Sequence, residues 1–340
     1  MSCRLLFEGL RGDPVSAIFL TSQGCCAGTL CGRVVAHFFE GLHSGRNLVI
    51  CSWSEDAVRG VWFTEHCITV TVGDSLCRLY PRALTATGGV PQEMAFEKKA
   101  AASVRFVLQR ANNVIVLSNG VTLVSDLRDG SQRSLGWKLQ DRYTAPCDWN
   151  GANLLLFSAV PDEQPSIQLL QPEQHQRLVV RDLPRRTRVV TQLKLWGDGR
   201  IVFVREGRCI VVFDYKTNLD THVISGHRGD IVSIAFCDEH RIAAVSNDGT
   251  LKIWDITNTK SRRGVCTKTV TLRQCSFDLG WSYHMAATDS LVAFSADEVG
   301  TGVFLVDLNG SQGTGSATQV VPAAPNNHNH RGGGWPANTR

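Results

Sequence analysis

One skeleton recurs seven times along the chain, and this constrains the fold more than any other feature. Its clearest copy is residues 226–258, GHRGDIVSIAFCDEHRIAAVSNDGTLKIWDITN. There, Ile231 to Phe236 alternates apolar with small or polar residues, Arg241 to Val245 is an apolar run, and Thr250 to Ile256 alternates again, which reads as three strands. Cys266 to Leu272 supplies a fourth. Asp248-Gly249 between the second and third is a strong hairpin signal, and it predicts a type I′ turn with positive φ at both central residues.

With Trp254 as the marker, equivalent third-strand positions fall at His37, Tyr80, Ser125, Leu170, Phe213 and Val306, at intervals of 43, 45, 45, 43, 41 and 52 residues. An aspartate follows the marker at Asp126, Asp214, Asp255 and Asp307, and the turn six residues before it carries Asp74, Asn119 or Asp248. Turn chemistry therefore repeats together with the apolar pattern. The Leu170 unit departs most, because VPDEQP stands where the tight turn belongs. A fixed period of this length signals a repeat architecture.

The GH to WD frame of 226–258 and the spacing of the seven units resemble the WD-repeat family. The resemblance implies an all-β, seven-bladed β-propeller of four-stranded antiparallel blades around a channel. A lone blade leaves both apolar faces bare, so its neighbours must cover them. The resemblance also implies a side-chain set of His, Ser or Thr, Asp and Trp that pins a blade. His227, Asp248 and Trp254 match those positions, with the following Asp255 as a further structural residue, while Ala244 occupies the place of the second-strand hydroxyl.

The ring is expected to close through the N-terminus. CRLLFEG at 3–9 precedes the first inner strand, Val15 to Leu20, and the last unit lacks an outer strand. The prediction is that Arg4 to Phe7 pairs with Gly302 to Leu308, with ATQVV at 317–321 as the competing strand. Residues 1–309 are expected to form the propeller, and 310–340, rich in Gly, Asn and Pro, a flexible tail.

Composition is that of an ordinary globular chain: 340 residues, 43% hydrophobic, 19% charged, net charge +4. No apolar run approaches the roughly 18 residues of a membrane-spanning helix, and MSCRLLFEGL is too short and polar for a secretory signal. The expectation is an intracellular, cytoplasmic protein. Most of the 12 cysteines sit singly in apolar strands, as at Cys67, Cys77, Cys209 and Cys237, and read as free thiols in a reducing compartment. The vicinal Cys25-Cys26 reads as buried packing.

No nucleophile elbow, zincin helix, phosphate loop or paired zinc-spaced cysteines occur. His66 and Cys67 are strand neighbours pointing to opposite faces, and His328 and His330 lack further ligands nearby. No catalytic residue, metal site or cofactor is expected. The expected function is non-catalytic: a protein–protein interaction scaffold or adaptor subunit of a larger assembly. Family resemblance places partner contacts on one rim, at Arg228, Asn247, Ser118 and Glu206, with the strand-end or loop aromatics Trp149 and Trp281 added as anchors. The alternative is an RNA-associated subunit contacting phosphate through the basic loops 181–188 and 260–263.

Overall fold

The computed structural model describes residues 3–309 except the segments 8–12, 41–44, 46, 53–56, 64–66, 73–75, 82–91, 96–103, 111–112, 119–121, 127–130, 136–143, 151, 159–161, 172–175, 184–192, 197–198, 206, 274, 278–282 and 297–301, and in part of blades 1 to 4 it describes the backbone alone. The tail 310–340, with ATQVV, His328 and His330, lies outside the described residues, as do His66 and Trp281.

Among the described residues the chain forms seven four-stranded antiparallel sheets. From inner to outer strand, blade 1 is Val15–Leu20, Gly24–Thr29, Arg33–Phe38 and Asn47–Ser52; blade 2 is Val58–Phe63, Cys67–Val72, Leu76–Pro81 and Gln92–Ala95; blade 3 is Val104–Arg110, Asn113–Ser118, Thr122–Asp126 and Gln132–Ser134. Blade 4 is Thr144–Trp149, Leu154–Ser158, Ser166–Gln171 and Gln176–Asp182; blade 5 is Leu193–Trp196, Arg200–Arg205, Cys209–Asp214 and Leu219–Ser225; blade 6 is Ile231–Phe236, Arg241–Ser246, Thr250–Asp255 and Val265–Thr271. Blade 7 takes Met285–Ala287, Leu291–Ala296 and Gly302–Asp307 from the end of the chain and Cys3–Phe7 from its start. Each inner strand lies against the next one, and that of blade 7 returns to that of blade 1, so the ring is closed.

All seven marker residues are the penultimate residue of a third strand. In three units the aspartate that follows ends the strand for a local reason. The Asp255 carboxylate accepts the Thr257 N–H at 2.7 Å, Asp214 that of Lys216 at 2.8 Å, and Asp307 that of Asn309 at 2.8 Å. Each is an Asx turn that reverses the chain toward the outer strand.

The apolar period of two divides each blade between its two neighbours. In blade 6, Ile234, Ile242, Ala244, Trp254 and Ile256 pack with Val202, Val212 and Ile224 of blade 5. The alternate residues Ala235, Ala243, Val245, Leu251 and Ile253 pack with Val292, Phe294, Phe304 and Val306 of blade 7. The same interleaving joins blades 1 and 2, 3 and 4, 4 and 5, and 7 and 1. The core is therefore a set of layers between blades, and a blade alone has none.

Closure follows the expected pairing. Cys3, Arg4, Leu5 and Phe7 face Val306, Leu305, Phe304 and Val303 in antiparallel register, with a bulge between Leu5 and Phe7. Leu6 and Phe7 are buried with Val15, Cys25, Ala293, Val303 and Leu305 between blades 7 and 1.

The turn at Asn247-Asp248-Gly249 is a correction. Among the non-glycine residues described only Asp162 and Asn218 have positive φ, so Asp248 does not, and the type I′ reading fails. Gly249 N–H donates to the Ser246 carbonyl at 3.1 Å, Gly249 has φ of +76°, and Ser246 pairs with Thr250. This is a three-residue loop, a type I turn followed by a left-handed glycine. Blade 1 repeats it with Gly32 at φ +81° bonded to the Thr29 carbonyl.

Candidate functional site: the rim of blades 5 and 6

Strand ends and turns of blades 5 and 6 meet at one rim of the ring, and backbone bonds tie three of them together. The Ile231 N–H donates to the Gly207 carbonyl at 2.6 Å and the Asn247 N–H to the Asp230 carbonyl at 3.0 Å. The loop 226–230 is thereby fixed between the turn at Gly207 and the turn at Asn247. Gly229 lies so close to that turn that an added Cβ would fall 2.0 Å from the Asn247 Oδ1. At the loop's start, an added Cβ on Gly226 would meet the Trp254 ring at 2.7 Å. The Gly-His and Trp-Asp ends of the motif are linked by this contact.

Asp248 is the hub beneath the rim. Its Oδ2 accepts the Arg228 backbone N–H at 2.7 Å and faces His227 Nδ1 at 3.2 Å, and its Oδ1 accepts the Thr250 hydroxyl at 2.6 Å and the Thr250 N–H at 3.0 Å. Ser246 Oγ accepts the Asp248 N–H at 3.1 Å. Burial works to raise the Asp248 carboxyl, but the Thr250 and Arg228 hydrogen bonds, with His227, hold it at about 2. Burial keeps the His227 imidazole below its ordinary pKa against the pull of Asp248. The neutral ring, with its proton on Nδ1, serves Asp248 and Thr250 Oγ1, the latter also at 3.2 Å.

The structural positions expected for His227, Asp248 and Trp254 are thus brought together, and Asp255 stands apart as the turn former described above. Trp254 is only 5% exposed, edge-on to His227, and Lys252 lies over its ring while donating to the Gly226 carbonyl. Truncating such a residue costs about 3–5 kcal/mol. The network is incomplete where Ala244 replaces a hydroxyl: His227 Nε2 and Trp254 Nε1 are both buried without a hydrogen-bond partner.

Of the expected rim residues, Arg228 is exposed and Asn247 is half-buried in the same patch. Ser118 ends the second strand of blade 3, the position Ser246 holds in blade 6, with its side chain outside the described residues. Glu206 and Trp281 also lie outside them. Trp149 is a correction: it is 5% exposed and packs with Ile115, Leu154, Leu156 and Leu170 between blades 3 and 4, so it offers no anchor to a partner. It closes an inner strand, where both faces are covered by neighbouring blades.

The sequence reading missed Arg208, Asp230 and Thr250. Arg208 Nε pairs with Asp230 Oδ1 at 3.1 Å, and its side chain is 66% exposed. Thr250 was legible in principle, two residues beyond Asp248 and so within reach of an Asx-type turn.

The basic loops are divided by the structure. Arg181 makes a two-pronged ion pair with Asp220 of the next blade and lies 4.7 Å over the Phe213 ring, so it is committed to the blade 4–5 junction and is not free for phosphate. Residues 185, 186 and 188 lie outside the described residues. Lys260, Arg262 and Arg263 are exposed.

Among the described residues no group of three or more His, Cys, Asp or Glu is placed to hold a metal. None of their helices is long and apolar enough to cross a membrane.

The sequence matches no family model and no curated protein. Solved structures do match in fold. The structure of U3-55K superposes with a TM-score of 0.63 at 12% identity, covering 90% of this chain and 98% of that one. A chain of the Mitotic Checkpoint Complex gives 0.62 at 11% identity, covering 90% and 93%. The WD40 β-propeller domain of Doa1 gives 0.59 at 15% identity, covering 89% and 96%. The chain has the WD40 β-propeller fold.

Proposed function

We propose that the protein is a non-catalytic interaction scaffold, an adaptor subunit of a larger intracellular assembly that holds a protein partner on the rim of blades 5 and 6. One observation carries this reading: the rim loop is rigid beneath and exposed above. Asp248 and Asn247 fix the backbone of 228–230, while the side chains of Arg228 and Arg208 project into solvent. Loops held by a rigid scaffold are where binding residues concentrate, and arginine is a frequent interface anchor. The fold is shared with a chain of a multi-protein complex, which agrees with this role. Fold does not fix function by itself, so the reading rests on the rim.

A protein partner is favoured over RNA because Arg181 is already neutralised by Asp220, and the cations described in the two basic loops that remain exposed are confined to 260–263. Affinity purification of the wild type and of Arg228→Glu at 100 mM and 400 mM salt, followed by mass spectrometry, tests it. The expectation is a defined set of proteins retained at both salts and lost from Arg228→Glu. Partners indifferent to the charge reversal would remove the rim reading. Partners lost steeply with salt and after nuclease treatment would establish the RNA alternative instead.

A further inference from the structure

Two thiols meet at the seam of the ring. Cys3 opens the closing strand, opposite Val306, and Cys275 lies in the connection that leaves the outer strand of blade 6, its N–H bonded to the Leu272 carbonyl at 3.2 Å. Both side chains pack against the buried layer between blades 6 and 7, around Leu272, Phe294, Phe304 and Leu308, and both are partly open to solvent. We propose that Cys3 and Cys275 form a reversible disulfide that locks the closing strand, so that the seam of the propeller responds to oxidation by low-molecular-weight disulfides.

Four other cysteines do not share this setting. Cys25 and Cys26 are fully buried, and burial pushes the Cys25 thiol up. Burial likewise pushes Cys237 up to about 12. Cys31 is exposed, but its hydrogen bond with Asp13 raises its thiol. Cys3 alone of these is displaced downward, because the Cys275 thiol donates to its sulfur, and this outweighs burial. A lowered, accessible thiol beside a second one is the arrangement that thiol–disulfide exchange requires.

The chemistry balances as two exchanges. The Cys3 thiolate attacks one sulfur of a small disulfide RSSR, its S–S bond breaks, and one RS⁻ leaves with the mixed disulfide on Cys3. Cys275 gives its proton to water, attacks the Cys3 sulfur and expels the second RS⁻. Two protein thiols are oxidised, and RSSR is reduced to two thiols. The new bond ties the first strand to a connection near the far end of the chain, and a cross-link that closes so long a loop restrains the unfolded chain most strongly.

Oxidised glutathione is the probe, applied to the full chain carrying Cys31→Ser and Cys266→Ser, which removes two exposed competitors. The expected result is a Cys3–Cys275 linked peptide in a non-reducing digest, a Tm raised by roughly 5 °C, and return to the starting Tm on adding dithiothreitol. Cys3→Ser and Cys275→Ser should each abolish both the linkage and the rise. A digest holding only glutathionylated Cys3, a link from Cys3 to another cysteine, or a formed Cys3–Cys275 link with unchanged Tm would overturn the proposal. Reversal in the same Cys31→Ser, Cys266→Ser sample keeps the result independent of how well the Cys3→Ser or Cys275→Ser variant folds.

Discussion

Trp254 and His227 show what a single missing oxygen does. Burial keeps His227 neutral, and its Nδ1 proton is used by Asp248 and Thr250, so its Nε2 is an acceptor with nothing to accept. Trp254 Nε1 is a donor with nothing to receive it. Ala244 lies in the same layer as Trp254, fully buried, on the strand between them. A serine there would place one hydroxyl able to accept from Trp254 and donate to His227. An unpaired buried polar group costs about 1–3 kcal/mol. Ala244→Ser is therefore expected to stabilise the protein by about 1 kcal/mol, read as a higher denaturant midpoint at unchanged m-value. A midpoint lowered by the substitution would show that the serine is itself left unpaired.

Strands and turns were legible where the cue is local, and blurred where the cue is tertiary. The seven marker residues fall at one register position because the strand period is written within each unit, and where an aspartate follows the marker, as at Asp214, Asp255 and Asp307, it announces the strand end directly. The type I′ reading failed at Asp248 because two of its carboxylate bonds go to residues some twenty positions away, in the neighbouring loop, and these hold the turn with only Gly249 left-handed. Trp149 read as a strand-end aromatic, and only the packing of blade 3 against blade 4 reveals it as core. Arg181 read as a loop cation, and only the next blade's Asp220 and Phe213 show it as a pin between blades. Inner strands carry a further consequence that no sequence pattern announces. Before Met285–Ala287, His284 donates its backbone N–H to Ser295 Oγ, and burial, reinforced by the Lys194 charge, lowers its imidazole to about 4. The unfolded chain takes up a proton near pH 6.5, and the folded chain does so only near 4. The stability contributed by the neutral ring is thus fully present above pH 6.5 and lost as pH falls toward 4, by on the order of 2 kcal/mol. His222 and His227, also lowered by burial, act in the same direction. His284→Gln should flatten the fall in Tm between pH 6.5 and 4 relative to wild type. Parallel Tm curves for the two proteins would rule out His284 as a source of the acid sensitivity.

For the whole molecule, stability resides between blades and the ring has one seam. Neighbouring blades are stitched by side chains as well as apolar layers: Arg200 donates to the Glu239 carbonyl of the next blade and Arg241 to that of Asp289. At the seam the link is one strand, Cys3–Phe7, whose Leu6 and Phe7 fill the layer between blades 7 and 1 and whose backbone covers the edge of Gly302–Asp307. Removing residues 1–8 deletes those two buried side chains and bares that edge, which invites pairing between molecules. The consequence spreads, because a ring that cannot close leaves blade 1 without its neighbour on one side. The expected outcome is loss of a single cooperative melting transition and of solubility, followed by calorimetry and size-exclusion chromatography. Truncation after residue 309 is expected to leave the transition in place, since the edge is already paired by the first strand. A Δ1–8 protein that melts as the wild type does, together with a truncated protein that does not, would hand the closure to 317–321 and require the first strand to be a passenger.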